Sequence, residues 1–499
     1  MVAKNNNGKK MLKIGLPLSF GIVVAFCVAI IAVKGNYIPA WVTWTEKEIF
    51  FEQSIKGKEN TSSYENSHGK LQLKVGDKRI SVSDECSEIL FETSKEIKVQ
   101  DAVVTDVDGD GLTDIVAVVW KRGLYGKHRP FWVTCDEKNY SQHVFIYGIG
   151  EDGKVSQKWF ASETGILIKR MKLMDKNPQI VMFEDADGDC TLWKWESFGL
   201  KNIENKVSIV AFGDNIIHDA IIDAANAEHG GNYDFLYEPY LEDIQNADIA
   251  AFNAETVLVE KASMVSGYPS FGSPKAVGEA IADAGFDVAV CANNHAVDKG
   301  IDAMEYSKSF YESKGIKCLG IQSKEDTEYK PYELISRNGI SFALFAFTYG
   351  TNAGDISEKY PNVVHYLPRD EAQEKSLVQD LQSAREEADV VIVFVHWGDE
   401  YETEVSAGQR KMAALLAEGG ADVVIGSHPH VVQEMEIIKR PDGGETAVYY
   451  SLGNYVADQG KDEKTKVGGE ASFVIKHTYD GVMITDIEIK EIRAYWKDR

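Results

Sequence analysis

Side chains that can bind metal ions recur directly after apolar segments in the C-terminal part of the chain. They are Asp214, Glu255, Asn294, His396, His428 and His430. Carboxylates, imidazoles and an amide oxygen together suit divalent ions such as Mn²⁺, Zn²⁺ or Fe²⁺. The set is large enough for two ions with a shared carboxylate, and two ions roughly 3.5–4 Å apart stabilise the attacking and leaving oxygens of a phosphoryl-type transfer. The pattern therefore predicts a metal centre; the alternative is a set of capping and core polar residues.

A second group of oxygen-bearing residues lies in the N-terminal half. Its candidate calcium ligands are Asp106, Asp108, Asp110, Leu112 (through its carbonyl) and Asp114. This is the first part of the EF-hand spacing, with Gly111 at the sharp turn, but the bidentate Glu that would complete it is replaced by Ala117. The segment resembles the calcium loops of extracellular FG-GAP or VCBS-type repeats, which implies calcium binding; an acidic turn is the alternative. A second acidic string at 185–190 looks like a degenerate copy that binds nothing.

The elements that must position the first group alternate between strand and helix. Apolar segments predict strands at 207–212, 248–252, 287–291, 340–347, 390–395, 422–425 and 447–452, with helices at 274–284, 301–314, 371–387 and 407–418. This alternation is typical of an α/β fold with much parallel sheet, and residues 471–495 alternate like a closing hairpin. Open α/β sheets place ligands at the carboxyl ends of their strands, where the candidate ligands follow.

The residues before 204 have a different organisation. Short alternating segments separated by turns predict a β-rich domain at 71–203, preceded by a polar stalk or linker at 34–70. The uncharged run at 14–33 is long enough for a transmembrane helix, and the lysines in residues 1–13 predict a cytoplasmic N-terminus with the bulk of the chain outside the cell. A cleaved signal peptide is the alternative, but no small-residue cleavage pattern closes the run.

Composition excludes several classes of protein. The chain has 499 residues, of which 44% are hydrophobic, and a formal net charge of −25. Collagen-like, disordered and disulfide-stapled proteins are excluded, and the charge makes a non-specific nucleic-acid binder implausible because it repels phosphate backbones. The cysteines show no CxxC pattern, so free buried thiols are expected.

The ordered motifs of residues 206–460 resemble those of the capsule-synthesis CapA family. They are Gly213-Asp214, Asn253-x-Glu255, Ala292-Asn-Asn-His-Ala-Val-Asp298-x-Gly300, His396-Trp-Gly-Asp-Glu-Tyr401, Gly426-Ser-His-Pro-His430-Val-x-Gln433 and Tyr450-Ser-Leu-Gly-Asn-Tyr455. That family looks like a relative of calcineurin-type metallophosphatases, which implies a four-layer α/β/β/α sandwich for residues 204–499 and a dinuclear site. The resemblance makes the six residues above its ligands and His295 a candidate general acid. Weaker candidates for substrate contact are His218, Glu400, Tyr401 and Gln433.

The resemblance implies a role in capsule or poly-γ-glutamate biosynthesis or export in a Gram-positive bacterium. One hypothesis is an outward-facing metal-dependent hydrolase or transferase of metallophosphoesterase type. A second is a non-catalytic accessory subunit of a polymer synthase complex, in which the metal is structural or binds the anionic polymer. A third, which only the N-terminal domain supports, is a calcium-stabilised surface binding module. Expected partners are the membrane, the polymer and other synthase or export subunits.

Overall fold

The computed structural model describes residues 41–44, 48–51, 60–66, 69–123, 131–136, 138–161, 165–175, 177–459, 462–494 and 496–498. The expected cytoplasmic tail and transmembrane anchor at 1–33 lie outside these residues. Within the described residues, no helix combines the length and apolar character needed to span a bilayer. The chain divides into two compact units, with the main boundary between Lys201 and Asn202.

The N-terminal unit is built from strands in the residues that the structure describes. They are β1 (Val42–Trp44), β2 (Ile49–Phe51), β3 (Asn60–Asn66), β4 (Gly69–Gly76), β5 (Arg79–Ser83), β6 (Ile89–Glu92), β7 (Lys98–Thr105), β8 (Thr113–Arg122), β9 (Tyr140–Ile149), β10 (Val155–Phe160), β11 (Ile168–Met174), β12 (Asn177–Asp185), β13 (Cys190–Glu196) and β14 (Gly199–Ile203). β3–β6, β7–β10 and β11–β14 each form a four-stranded sheet with neighbours in chain order, and the first two sheets are antiparallel throughout. The β-rich organisation expected for 71–203 is therefore observed.

Three parts of the expected stalk at 34–70 are strands, namely β1, β2 and β3. β3 pairs with β4 in antiparallel register from Asn60 opposite Val75 to Asn66 opposite Gly69. The polar composition of this segment suggested a linker, but the pairing uses backbone groups, which every one of these residues supplies.

The C-terminal unit alternates strands and helices. Its strands are β15 (Lys206–Asn215), β16 (Ile249–Asn253), β17 (Leu258–Val259), β18 (Ser273–Pro274), β19 (Val288–Val290), β20 (Lys317–Leu319), β21 (Tyr332–Arg337), β22 (Ile340–Thr348), β23 (Val390–His396), β24 (Val423–Ser427), β25 (Met435–Lys439), β26 (Glu445–Tyr449), β27 (Asn454–Val456), β28 (Val467–Thr478) and β29 (Gly481–Arg493). Its α-helices are α1 (Asp219–Glu228), α2 (Leu241–Asn246), α3 (Lys275–Ala284), α4 (Ile301–Ser313), α5 (Glu371–Glu387) and α6 (Ala407–Gly419).

These strands form two large sheets. One has the order β20-β19-β16-β15-β28-β29, with β27 added beside β15, and the other has the order β21-β22-β23-β24-β26-β25. The centre of each sheet is parallel, β15–β16–β19–β20 in the first and β22–β23–β24–β26 in the second. β28 and β29 form the predicted closing hairpin.

Three apolar cores make the unit a four-layer α/β/β/α sandwich. One core lies between the sheets, where Ile209 and Ala211 of β15 pack in the same cluster as Phe342 of β22. A second packs the first sheet against α1–α4, and a third packs the second sheet against α5 and α6. The four-layer architecture implied by the family resemblance is confirmed by these layers.

Local signals explain why the two helices on the second sheet begin where predicted. The Asp370 carboxylate accepts hydrogen bonds from the first backbone N–H groups of α5, and Ser406 forms a capping box with Gln409 at the start of α6. Gly420, at a φ of 101°, ends α6 in the left-handed conformation that glycine adopts without strain.

Candidate metal centre

All six predicted ligands come together at one end of the two sheets. Asp214 is near the end of β15, Glu255 follows β16, Asn294 follows β19, His396 ends β23, and His428 and His430 follow β24. Parallel pairing of the strands brings their ends together: Asp214 lies opposite Asn253 in one sheet, and His396 lies opposite Ser427 in the other. The side chains therefore meet although they are far apart in the sequence.

The ligands form two groups that share one carboxylate. Glu255, His396 and His428 offer ligand atoms within 4.8 Å of one another, and so do Asp214, Glu255 and His430. His430 Nδ1 lies 3.0 Å from Asp214 Oδ2, and Glu255 Oε1 lies 3.6 Å from His396 Nε2 and 3.9 Å from His430 Nε2. Two adjacent cation sites bridged by Glu255 fit this arrangement.

The chemistry of the site fits metal ions better than it fits a closed hydrogen-bond network. Asp214, Glu255 and His396 are fully buried, yet Glu255 Oε1 and His428 Nδ1 have no hydrogen-bond partner among the described residues. A buried unpaired carboxylate oxygen is costly unless a cation or a donor reaches it. The donor set and the unpartnered atoms together match divalent-metal ligation.

Burial also sets the protonation of the ligands. Desolvation, and next the charge of Asp214, raises the pKa of Glu255 well above its ordinary value. Desolvation lowers the pKa of His428 to about 4 and the pKa of His396 well below its ordinary value, with neighbouring histidines adding to both shifts. Both imidazoles are therefore neutral at pH 7, which is the form that binds metals.

Two asparagines complete the centre, and only one of them was predicted. Asn294 Oδ1 lies 3.0 Å from His396 Nε2, in the position expected of a ligand oxygen. Asn253 Nδ2 donates to Asp214 Oδ1 at 2.8 Å and to Glu255 Oε2 at 3.4 Å, so it orients both carboxylates. Its place at the end of β16, two residues before Glu255, is the signal that could have identified Asn253 from the sequence.

The backbone around the histidines is strained. His428 and His430 have φ angles of 102° and 59°, a region that residues other than glycine seldom adopt. Each such residue costs about 1–3 kcal/mol, and such residues concentrate at functional sites. The turn brings the backbone N–H of His428 within 3.4 Å of the Asp214 carboxylate.

His295 is held beside the centre by a carboxylate. Its Nδ1 lies 2.7 Å from Asp298 Oδ2, which also accepts the backbone N–H of Phe271, and its Nε2 lies 3.4 Å from Asn352 Nδ2. Asp298 orients the ring, because Nδ1 is protonated and donates a hydrogen bond to its carboxylate. Nε2 is therefore the nitrogen available for proton transfer. Asp298 was part of the recognised motif but was not assigned a role from the sequence.

A cavity of about 470 Å³ opens next to the centre. His218, His295, Glu400, Tyr401 and His430 are among the residues that line it. His218 precedes α1 and accepts the backbone N–H of Asp458 at 3.1 Å, so it faces the cavity. Three of the four weaker candidates are thus grouped around one space.

The fourth weaker candidate lies elsewhere. Gln433 is buried, donates to the backbone oxygens of Glu402 and Glu404, and accepts from Gln409. Its amide connects the loop that follows His396 to α6 and is not among the residues that line the cavity.

The predicted calcium loop is arranged around a lysine. Asp106, Asp108 and Asp114 bring carboxylate oxygens within 4.8 Å of one another. Lys158 Nζ of β10 lies 2.6 Å from Asp108, 3.0 Å from Asp114 and 3.2 Å from Asp110. Asp106 instead accepts the backbone N–H groups of the turn, and the backbone N–H of Leu112 donates to Asp110. The ammonium group therefore lies among three of the five candidate ligands.

The family model for bacterial capsule synthesis protein PGA_cap matches residues 208–459. The PGA biosynthesis protein CapA of Bacillus subtilis (strain 168) is 30% identical over 42% of this chain and 52% of its own length. The capsule biosynthesis protein CapA of Bacillus anthracis is 29% identical over 58% of this chain and 68% of its own length. The chain thus matches about half the length of the first relative and about two thirds of the second.

Among solved structures, the calcineurin-like phosphoesterase YfkN of Bacillus subtilis overlaps with a TM-score of 0.34 at 15% identity, over 58% of this chain and 90% of that chain. An overlap at this score does not assign the fold, which the two sheets and four layers define here. The match to the family model covers half of the chain and includes every residue of the metal centre. The chain therefore belongs to the PGA_cap family of bacterial capsule synthesis proteins.

Proposed function

We propose that the C-terminal unit is a metal-dependent hydrolase of phosphoester type that acts in capsule or poly-γ-glutamate biosynthesis or export. The observation that carries this proposal is the pair of ligand groups that share the buried carboxylate of Glu255. A shared carboxylate is the usual bridge of two-metal sites that catalyse displacement at phosphorus.

The residues of the centre would have three different roles: metal binding, orientation of the carboxylates and proton donation. Asp214, Glu255, Asn294, His396, His428 and His430 would hold two divalent ions, which would supply charge stabilisation and an activated water when bound. Asn253 orients the two carboxylates through its Nδ2 hydrogen bonds. His295 would donate a proton from Nε2 to the leaving oxygen, because Asp298 engages Nδ1 and stabilises the imidazolium.

The biological role is supported by the relatives. The printed name of the Bacillus subtilis protein assigns it to PGA biosynthesis, and that of the Bacillus anthracis protein to capsule biosynthesis. The uncharged run at 14–33 supports a single-pass anchor that places both units outside the cell. Recovery of the full chain in the washed membrane fraction supports this placement, and recovery in the medium with a new N-terminus contradicts it.

The test of the hydrolase is turnover that depends on the bound ions. Full-length protein reconstituted with Mn²⁺ or Zn²⁺ should hydrolyse p-nitrophenyl phosphate or its diester, and Asp214→Asn should reduce the rate at least about a hundredfold, the usual scale for loss of a site that stabilises transition-state charge. Asp219→Asn, a similar change outside the ligand groups, is the matched control. Three findings together would replace this proposal with the accessory-subunit alternative. They are that the ions bind, that neither an ester nor a γ-glutamyl substrate is turned over, and that polymer export is normal in Asp214→Asn.

A further inference from the structure

The cavity beside the metal centre has an unusual lining for a site that serves anionic polymers. It is contiguous with the centre, since His430 belongs to a ligand group and also lines the cavity. Its walls carry the carboxylates of Glu400, Asp458 and Asp462, and no lysine or arginine is among the described lining residues. These carboxylates would therefore repel a polyanionic segment that entered the cavity.

Two of these carboxylates come from different segments of the chain, since Glu400 follows β23 and Asp458 follows β27. Glu400 lines the cavity together with its neighbour Tyr401 and with His430, which belongs to one of the two ligand groups. Asp458 lies beside His218, whose Nδ1 accepts the backbone N–H of Asp458 at 3.1 Å. Among the described residues, neither Glu400 nor Asp458 forms a salt bridge to lysine or arginine, as the acidic surface residues of this unit often do.

Aromatic faces complete the lining. Tyr268 and Tyr401 are 76% and 46% exposed, and Phe271 packs with its ring edge-to-face against His295 at 4.8 Å. Aromatic rings combined with unpaired carboxylates are the usual surroundings of a bound ammonium group, which gains both charge attraction and cation–π contact.

We propose that this cavity binds a protonated amine adjacent to the anionic group held at the metal centre, so that the substrate is zwitterionic at its reacting end. The inference rests on the proposed function and specifies its substrate class. The substrate class is then a phosphoester that carries a protonated amine close to its phosphoryl group.

The test is a set of non-hydrolysable phosphonates that differ only in their tail. With the Mn²⁺-loaded full chain, calorimetry should give 2-aminoethylphosphonate a Kd about three- to tenfold below that of ethylphosphonate, with 3-phosphonopropionate the weakest, the range expected for one or two partly exposed charge pairs. Glu400→Gln and Asp458→Asn should each remove part of the preference. Glu402→Gln, the same change at an exposed residue outside the cavity, should leave it intact.

The outcomes separate this inference from the hydrolase proposal, because binding is measured without turnover. Equal affinity for the amino and ethyl compounds, or a tighter 2-hydroxyethylphosphonate, overturns the amine site in favour of a neutral polyol site and leaves the hydrolase intact. An amine preference without any ester hydrolysis keeps the inference and contradicts the hydrolase. Failure of every phosphonate to bind the loaded protein overturns the inference.

Discussion

Among single residues, Glu255 is the one that both candidate ligand groups share, and burial of its carboxylate disfavours folding. Its carboxylate is fully buried, shares the site with Asp214 and has one oxygen without a partner. Its residue type and its position after a strand predict it as a ligand, and the structure places it in both candidate ligand groups. The hydrogen-bond roles of Asn253 and Asp298 were not predictable, because an amide or carboxylate that orients another side chain has no distinctive spacing.

The buried carboxylate of Glu255 should lower the unfolding free energy of the metal-free protein. Glu255→Gln should lower the bound metal below two ions per chain, because a neutral amide is a poor bridge, and should raise the unfolding free energy of the metal-free protein by about 1–3 kcal/mol at pH 8. Burial raises the pKa of Glu255, so its penalty is absent below the ordinary value of 4.5 and grows as pH rises through the folded-state pKa. The stability gain should therefore vanish near pH 4.5.

The measurements for this variant are elemental analysis and denaturant unfolding at both pH values. Glu260→Gln, an exposed glutamate nearby, is the matched control and should change neither quantity. A metal-free Glu255→Gln protein that is less stable than the wild type at pH 8 would contradict the explanation.

The second prediction concerns the proton donor. His295→Gln should leave bound metal unchanged and reduce kcat by about 10²–10⁴ for an alkyl phosphate, the range typical of general acid catalysis. The loss should be much smaller for p-nitrophenyl phosphate, whose leaving group needs no proton. Asp298→Asn should have a weaker effect with the same leaving-group dependence, and Asp302→Asn on the exposed face of α4 is its control. An equal loss for both leaving groups would indicate a structural role.

The third prediction concerns a buried histidine away from the centre. Desolvation lowers the pKa of His365 to about 4, and its Nε2 lies 3.1 Å from Gln322 Oε1. A depressed folded-state pKa means that its neutral form stabilises the fold above pH 6.5 and that this contribution is lost as pH falls towards 4. The stability difference between wild type and His365→Gln should therefore shrink by about 2 kcal/mol between pH 7 and pH 5, as measured by denaturant unfolding of both proteins. A pH-independent difference would contradict this assignment.

At the scale of elements, the strands that carry ligands were the most predictable. The predicted segment at 390–395 is observed as β23, and that at 371–387 is observed as α5, because each has a clear apolar period and, for α5, a capping aspartate. α1 was not among the predicted helices: it is only 10 residues long, and the residue before it, His218, is not one of the usual N-cap types and forms no side-chain cap hydrogen bond. Short edge strands such as β20 and β25 depend on neighbouring strands for their existence, which a local pattern does not reveal.

The fourth prediction tests why a glycine precedes Asp214. A Cβ at Gly213 would lie 1.9 Å from the backbone oxygen of Gly453, where β15 approaches the turn before β27. Gly213→Ala should therefore separate these segments, with a loss of about 3 kcal/mol or more and reduced metal binding. Gly408→Ala, where the added Cβ has ordinary contacts, is the control, and thermal unfolding measures both variants. A Gly213→Ala protein as stable as the control would contradict the close approach.

The fifth prediction tests the acidic loop of the N-terminal unit. Lys158→Met should leave the carboxylates of Asp108 and Asp114 without their cation, and should lower the melting temperature in calcium-free buffer by several degrees. If the ammonium takes the place of calcium, added Ca²⁺ should stabilise the variant and leave the wild type unchanged. Stabilisation of the wild type by Ca²⁺ would instead support the calcium loop predicted from the sequence.

For the molecule as a whole, the net charge disfavours binding to an anionic polymer, whereas the relatives are named for capsule and PGA biosynthesis. A protein with a net charge of −25 repels an anionic polymer over the range of a Debye length, yet its relatives serve capsule and PGA biosynthesis. Binding of the Mn²⁺-loaded protein to poly-γ-glutamate should therefore strengthen as NaCl rises from 20 to about 150 mM, because screening weakens the repulsion more than the short-range contacts at the ions. Fluorescence titration with labelled polymer measures this, and affinity that falls with salt would indicate a basic polymer-binding surface.

Anomalous diffraction from crystals of the Mn²⁺- or Zn²⁺-loaded protein would show whether Glu255 bridges two adjacent cation sites. We expect two anomalous peaks, one beside Glu255, His396 and His428 and the other beside Asp214, Glu255 and His430. The peaks should lie roughly 3.5–4 Å apart, as in other two-metal sites. A centre without ions, or a single ion that does not touch Glu255, would contradict a bridging role for Glu255.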